Sequence, residues 1–171
     1  TGAGKSTLLK LLLRFHDLVL ERQAQGLDIA QTETGKARRD AFEELLDCAL
    51  TSRHYARVGP GMLAPQKRLG VFLALTDTVE HHHPKGVVGI VSPWNYPIAL
   101  AVGDALPALL AGNAVVLRPD IQTTVTALWA VDLLREAGVP EGVLSVVIGD
   151  GQHAGQAVIE RADYVMFTGS T

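Results

Sequence analysis

Cysteine is almost missing from this 171-residue sequence: Cys48 stands alone. Neither an internal disulfide nor a cysteine-built zinc cage can form, and such usage predicts a reduced, cytoplasmic setting. An excess of basic charge is missing too. Fifteen Lys and Arg against eighteen Asp and Glu leave a formal net charge of −3, the wrong sign for a groove that neutralises phosphates, so no nucleic-acid partner is expected. There is no internal repeat and no low-complexity tract. The first residues lack the basic start, apolar run and small-residue cleavage site of a signal peptide. One apolar run, YPIALAVGDALPALLAGNAVVL at 96–117, has about the ~20-residue length of a membrane span. Asp104, Pro107, Gly112 and Asn113 split it into a buried helix and a buried strand, so no membrane is expected either.

Hydrophobic residues make up 47% and charged residues 19%, which suits one domain, or part of a larger one, with a packed core and excludes a disordered chain. From residue 10 to about 58 the pattern is helical. Leu11, Leu12, Phe15, Leu18 and Val19 recur at three- and four-residue steps with Arg14, Asp17 and Glu21 between them. A second helix is predicted to bury Phe42, Leu45, Leu46 and Ala49 and to turn Glu43, Glu44 and Asp47 to water. Gly35 marks a cap or turn between the two, and Lys36, Arg38 and Arg39 read as a solvated face. Pro60, Gly61, Pro65 and Gly70 predict an irregular region.

Beyond His83 short β-branched runs alternate with helical ones: 86–91, 98–110, 114–117, 125–137, 143–148, 154–161 and 164–167. Strands without polar alternation, separated by helices, predict a parallel sheet covered on both faces. The expected fold class is therefore α/β, a helical N-terminal segment leading into a Rossmann-like parallel sheet. His81, His82 and His83 are adjacent, so on extended backbone they alternate faces and cannot easily share one metal.

The opening, TGAGKSTLLKLLLRF, contains the second half of a phosphate loop. Lys5 would reach terminal phosphates and Ser6 would hold Mg²⁺. Residues 1–15 resemble the start of the nucleotide-binding domain of an ABC-transporter ATPase, which makes an ATP-binding module one alternative. No run of four apolar residues ending in Asp-Glu and no LSGGQ-like signature follows, so a Gly-rich terminus running into a helix is the preferred reading.

From residue 14 to 171 five blocks occur in family order: ETGKAR at 33–38, PKGVVGIVSPWNYP at 84–97, PALLAGNAVVLRPD at 107–120, REAGVPEGVLSVVIGDG at 135–151 and FTGST at 167–171. Together they resemble the aldehyde dehydrogenase superfamily, most of all its succinate-semialdehyde-like members. The resemblance implies that 16–171 form part of an NAD(P)-binding domain in an enzyme that oxidises an aldehyde to an acid and assembles as a homo-oligomer. In that family a cysteine thiolate adds to the aldehyde, hydride passes to the nicotinamide, and water activated by a glutamate hydrolyses the thioester. The blocks that carry the nucleophile and the general base have no counterpart in these 171 residues, so the chain reads as a fragment, inactive alone. A non-catalytic α/β scaffold is the remaining alternative.

Asn95 matches the family asparagine whose amide donates to the tetrahedral oxyanion. On its own loop, an Asx-turn role beside Trp94 accounts for it equally well; the other blocks favour catalysis. Val91, Ser92, Pro93 and Trp94 match cofactor-binding positions beside the ribose and phosphates. Arg118 stands where the family usually has a lysine on the adenosine ribose, and Asp120 and Ile121 follow it. At Ile121 NAD-selective members often carry a glutamate, so the resemblance implies that NADP serves at least as well as NAD. Gly149, Gly151 and Gly155 give a GxGxxxG turn suited to close backbone approach. Phe167 ends a strand, and Thr168, Gly169 and Ser170 lead toward a helix start with free amides for pyrophosphate. Cys48 reads as a packing residue.

Overall fold

A computed structural model describes residues 2–72 and 75–169, with side chains from residue 7 onward. Three helices come first, α1 (Gly2–Glu21), α2 (Gln23–Thr34) and α3 (Arg38–Met62). The expected stripe of α1 holds: Leu11, Leu12, Phe15, Leu18 and Val19 are all buried. The chain bends between α1 and α2 at Arg22 (φ −108°, ψ 19°), which divides the first helical stretch in two. Helix α2 stops at Gly35, whose φ of 70° is a left-handed cap and whose amide donates to the Gln31 carbonyl. The GAGKS run lies inside α1 rather than in a loop wrapped around a phosphate, and the side chains of Lys5 and Ser6 lie outside the described residues.

Helix α3 departs from the expected face. Glu44 is 2% exposed and Phe42 is 40% exposed, the reverse of the hydropathy reading. The buried stripe runs through Ala41, Glu44, Leu45, Cys48, Ala49 and Ser52. A carboxylate can occupy it because cationic and amide partners from distant segments meet it there, whereas periodicity registers only its polarity. Pro60 and Gly61, expected in a loop, belong to the last turns of α3, where a missing amide costs the helix one bond near its end.

A hairpin follows, β1 (Gln66–Arg68) antiparallel to β2 (Thr78–Glu80), with Gln66 opposite Glu80. Nothing in the hydropathy pattern of 66–80 marks these strands, whose side chains are mostly exposed. His81, His82 and His83 are exposed.

The α/β expectation is met from there on. The elements are β3 (Val87–Val91), a π-helical turn (Ala99–Gly103) running into α4 (Asp104–Leu110), β4 (Ala114–Arg118), a 3₁₀ turn (Ile121–Thr123) running into α5 (Thr124–Ala137), β5 (Leu144–Val146), a second π-helical turn (Gly151–Gly155) running into α6 (Gln156–Arg161), and β6 (Tyr164–Phe167). The four strands are all parallel in the order β5-β4-β3-β6. Alternation along each strand sorts the two faces. Val88, Ile90, Val115, Leu117 and Leu144 join the core under α1, α4 and α5. Gly89, Val116 and Val147 face α6. Gly89 is there because α6 packs directly on it: a Cβ at that position would stand 2.7 Å from Val158 Cγ1 and 2.9 Å from Ala162 Cβ.

Candidate functional site

Strands β3, β4 and β5 add outward in one direction, and the chain then crosses back to lay β6 against the other side of β3. Connections diverge where that reversal occurs, opening a crevice beyond the carboxyl ends of β3 and β6, the place where open parallel sheets take ligands. A cleft of about 460 Å³ lies there.

One wall is the end of β3 and the loop after it: Val91, Ser92, Pro93, Trp94 and Asn95. Arg118 and Asp120 come from the end of β4. Gly151 and Gly155 come from the π-helical turn, and Phe167, Thr168 and Gly169 from the end of β6. The structure thus gathers residues that the sequence reading drew from four separate blocks. Ile121 and Gly149 lie outside the lining, and Ser170 lies outside the described residues. Ile159 is a lining residue that sequence reasoning missed. Its signal was available, because it follows Gly155 by four positions on a helix and so shares its face.

Hydrogen bonds fix the walls. Ser92 N donates to the Arg118 carbonyl at 3.1 Å and Thr168 N to the Val91 carbonyl at 3.0 Å, continuing the sheet into the site. The Arg118 side chain donates from Nε (3.0 Å) and Nη2 (2.8 Å) to the Gly149 carbonyl. Two of its five donors are therefore taken by the glycine turn, and Gly149 reaches the cleft through Arg118. Asp120 Oδ1 accepts from Gln122 N at 2.9 Å and caps the 3₁₀ turn. Asp150 accepts from His153 N at 2.6 Å. The His153 ring and amide hold its carboxyl below the usual range. Ser92 Oγ is buried and has no hydrogen-bond partner among the described residues.

Lys36 is not on a solvated face. Its side chain is 13% exposed, and Nζ donates at 2.6 Å to Glu44 Oε2 and at 2.7 Å to the Asn95 carbonyl. Periodicity missed both residues because each is polar and the partners that bury them lie 8 and 59 positions from Lys36. Cys48 is fully buried in the core, where desolvation, then Asp47 and Glu44, push its thiol up. It packs, as expected. Among the described residues no group of His, Cys, Asp and Glu is placed to hold a metal, and no helix is long and apolar enough to cross a membrane.

The sequence model of the aldehyde dehydrogenase family matches residues 6–171. The chain belongs to the aldehyde dehydrogenase family. It is similar to a putative succinate-semialdehyde dehydrogenase [NADP(+)] of Mycolicibacterium smegmatis, 51% identical over 161 residues, which are 94% of this chain and 31% of that protein. The chain therefore spans about a third of the length of such relatives. Among solved structures it is similar to an NAD-dependent benzaldehyde dehydrogenase from Corynebacterium glutamicum, with TM-score 0.87, 30% identity and coverage of 97% of this chain and 36% of that one. An NADP-dependent glyceraldehyde-3-phosphate dehydrogenase from Bacillus halodurans C-125, complexed with NADP, gives TM-score 0.86 at 30% identity, covering 95% and 35%. The aldehyde dehydrogenase match takes up almost the whole N-terminal helix, and nothing supports the ABC-transporter likeness of its opening.

Proposed function

We propose that the protein carrying this segment oxidises an aldehyde, succinate semialdehyde, to the carboxylic acid with NAD or NADP, and that this segment supplies cofactor-binding walls and one catalytic donor. The observation that carries the proposal is the cleft at the strand reversal, which brings Asn95 together with the β4 and β6 ends. Its walls suit a dinucleotide. Gly151, Gly155 and Gly169 let backbone come close to a ligand, and the unpartnered Ser92 Oγ needs a polar partner of the kind ribose and phosphate offer. When bound, the cofactor supplies the acceptor for the aldehyde's hydride.

Asn95 stabilises the oxygen as it gains negative charge. Its amide is a neutral donor, so it favours the oxyanion over the ground-state carbonyl without needing to change protonation. Arg118 holds the Gly149 turn, and Asp120 sets the start of α5. Cys48, enclosed in the core with its thiol pushed up, is not the nucleophile.

Assembly as a homo-oligomer belongs to the proposal and draws support from the hairpin region, where Leu69, Val71, Phe72 and Leu75 are exposed together. A cytoplasmic setting is proposed on the single, reduced cysteine.

The test is the rate of NADH or NADPH formation by the full-length protein carrying this segment, with succinate semialdehyde, benzaldehyde and glyceraldehyde-3-phosphate in turn. Succinate semialdehyde is expected to give the highest kcat/KM, and Asn95→Ala to lower kcat about 10²- to 10³-fold. A protein that binds either cofactor yet oxidises no aldehyde would be the non-catalytic scaffold instead.

A further inference from the structure

We infer that Lys36 and Glu44 form a clamp that positions Asn95. The inference rests on the functional reading above for its catalytic consequence, and on geometry for the clamp itself. Lys36 lies in the link between α2 and α3, and Glu44 one turn and a half into α3. From this helical pair they reach across to the loop joining β3 to α4.

The contacts fix that loop at both halves. Lys36 Nζ donates to the Asn95 carbonyl at 2.7 Å and sits 4.7 Å from the Tyr96 ring centroid, which holds the tip. Glu44 Oε1 accepts from Ile98 N at 2.6 Å and from Ala99 N at 3.2 Å, which holds the start of the π-helical turn. The 2.6 Å pair between Lys36 Nζ and Glu44 Oε2 joins the two grips into one unit. Asn95 lines the cleft, and its side-chain amide makes no hydrogen bond among the described residues. Its direction is therefore set through its backbone, and Lys36 grips that peptide.

Burial argues for a use beyond stability. Glu44 has no exposed side-chain surface and Lys36 has 13%. A buried ion pair often stabilises a fold no better than apolar residues of the same volume, so what it adds is fixed geometry. An oxyanion donor needs such geometry, since misplacement by about 1 Å costs about 10²-fold in rate. Lys36 and Glu44 touch no reacting atom and act as positioning residues.

The experiment uses the full-length protein carrying this segment, with Lys36→Met, Lys36→Arg and Glu44→Gln. Amide exchange over residues 92–99 reads the clamp without turnover. Lys36→Met and Glu44→Gln are expected to speed exchange in that stretch at least about 10-fold while the β4 and α5 amides stay protected. In turnover, Lys36→Met is expected to lower kcat about 10- to 100-fold and to leave the cofactor's Kd within about twofold. Lys36→Arg, which keeps the charge and donors, is expected to recover part of the rate. In an Asn95→Ala background, Lys36→Met should then cost less than about twofold, because its partner in function is already gone. Full additivity in that cycle would overturn the clamp, as would unchanged exchange at 92–99 or a loss of protection spread evenly over the chain. Where the unsubstituted protein binds cofactor but oxidises nothing, the functional reading falls and the exchange result alone decides the clamp.

Discussion

Asp120 and Ile121 are chain neighbours in different surroundings: Asp120 lines the cleft, and Ile121 is 58% exposed outside it. Strand alternation would turn Asp120 away from a site that Ile121 faced. That rule lapses here because β4 ends at Arg118 and Asp120, at φ −60° and ψ 142°, starts a 3₁₀ turn. Cofactor choice is then expected to follow Asp120 rather than Ile121. Ile121→Glu is expected to change the NADP-to-NAD ratio of kcat/KM by less than about twofold in the full-length protein. Asp120→Asn keeps the oxygen that caps Gln122 and removes the charge that repels a 2′-phosphate. It is expected to raise the ratio about 3- to 10-fold, the size of a partly screened charge interaction. At this scale the sequence shows which residues meet at the cleft, through the family blocks around Asn95 and Arg118. It does not show which polar residues are buried, because Lys36, Glu44 and Arg118 acquire their roles from partners far along the chain.

Helix α2 holds α5 by its end. Glu33 accepts from Val125 N (3.0 Å), Thr126 N (2.6 Å) and Thr126 Oγ1 (2.6 Å), a cap delivered from another element to amides that the first turn of α5 leaves open. Glu33→Ala is expected to cost about 1–2 kcal/mol, read as a fall in the denaturation midpoint at unchanged m-value. On the opposite face, Gly89→Ala must push α6 off β3, and about 1–3 kcal/mol of destabilisation is expected from the overpacking. The elements themselves were largely legible. The apolar runs of β3, β4 and β6 and the stripes of α1 and α5 announce themselves, and Gly35 marks the end of α2. The hairpin does not. Its strands are three residues long with mostly exposed side chains, and the Arg68 to Glu80 pair at 2.6 Å across them leaves no trace in hydropathy.

At the scale of the whole molecule, the only thiol and the cleft are far apart in character: Cys48 is enclosed by α3 and its neighbours, while the cleft is open to solvent. The 171-residue chain by itself is therefore expected to release no NADPH from succinate semialdehyde and NADP. Cys48 should resist alkylation in buffer and react quickly in urea. Rapid turnover that vanished with Cys48→Ser would contradict both expectations. Which side of β3 receives β6, and hence where the cleft opens, was not legible from local pattern, since a parallel strand carries no mark of its neighbour. The same order sets a timetable for assembly. Val87 finds its register partner Ala114 across one short helical crossover, whereas Val88 waits for Tyr164 at the far end of the chain. Closing that longer loop costs more entropy and comes later. The β3, β4 and β5 layer can thus form on a nascent chain before β6 exists, and throughout that interval the edge of β3 keeps its backbone donors and acceptors unpaired.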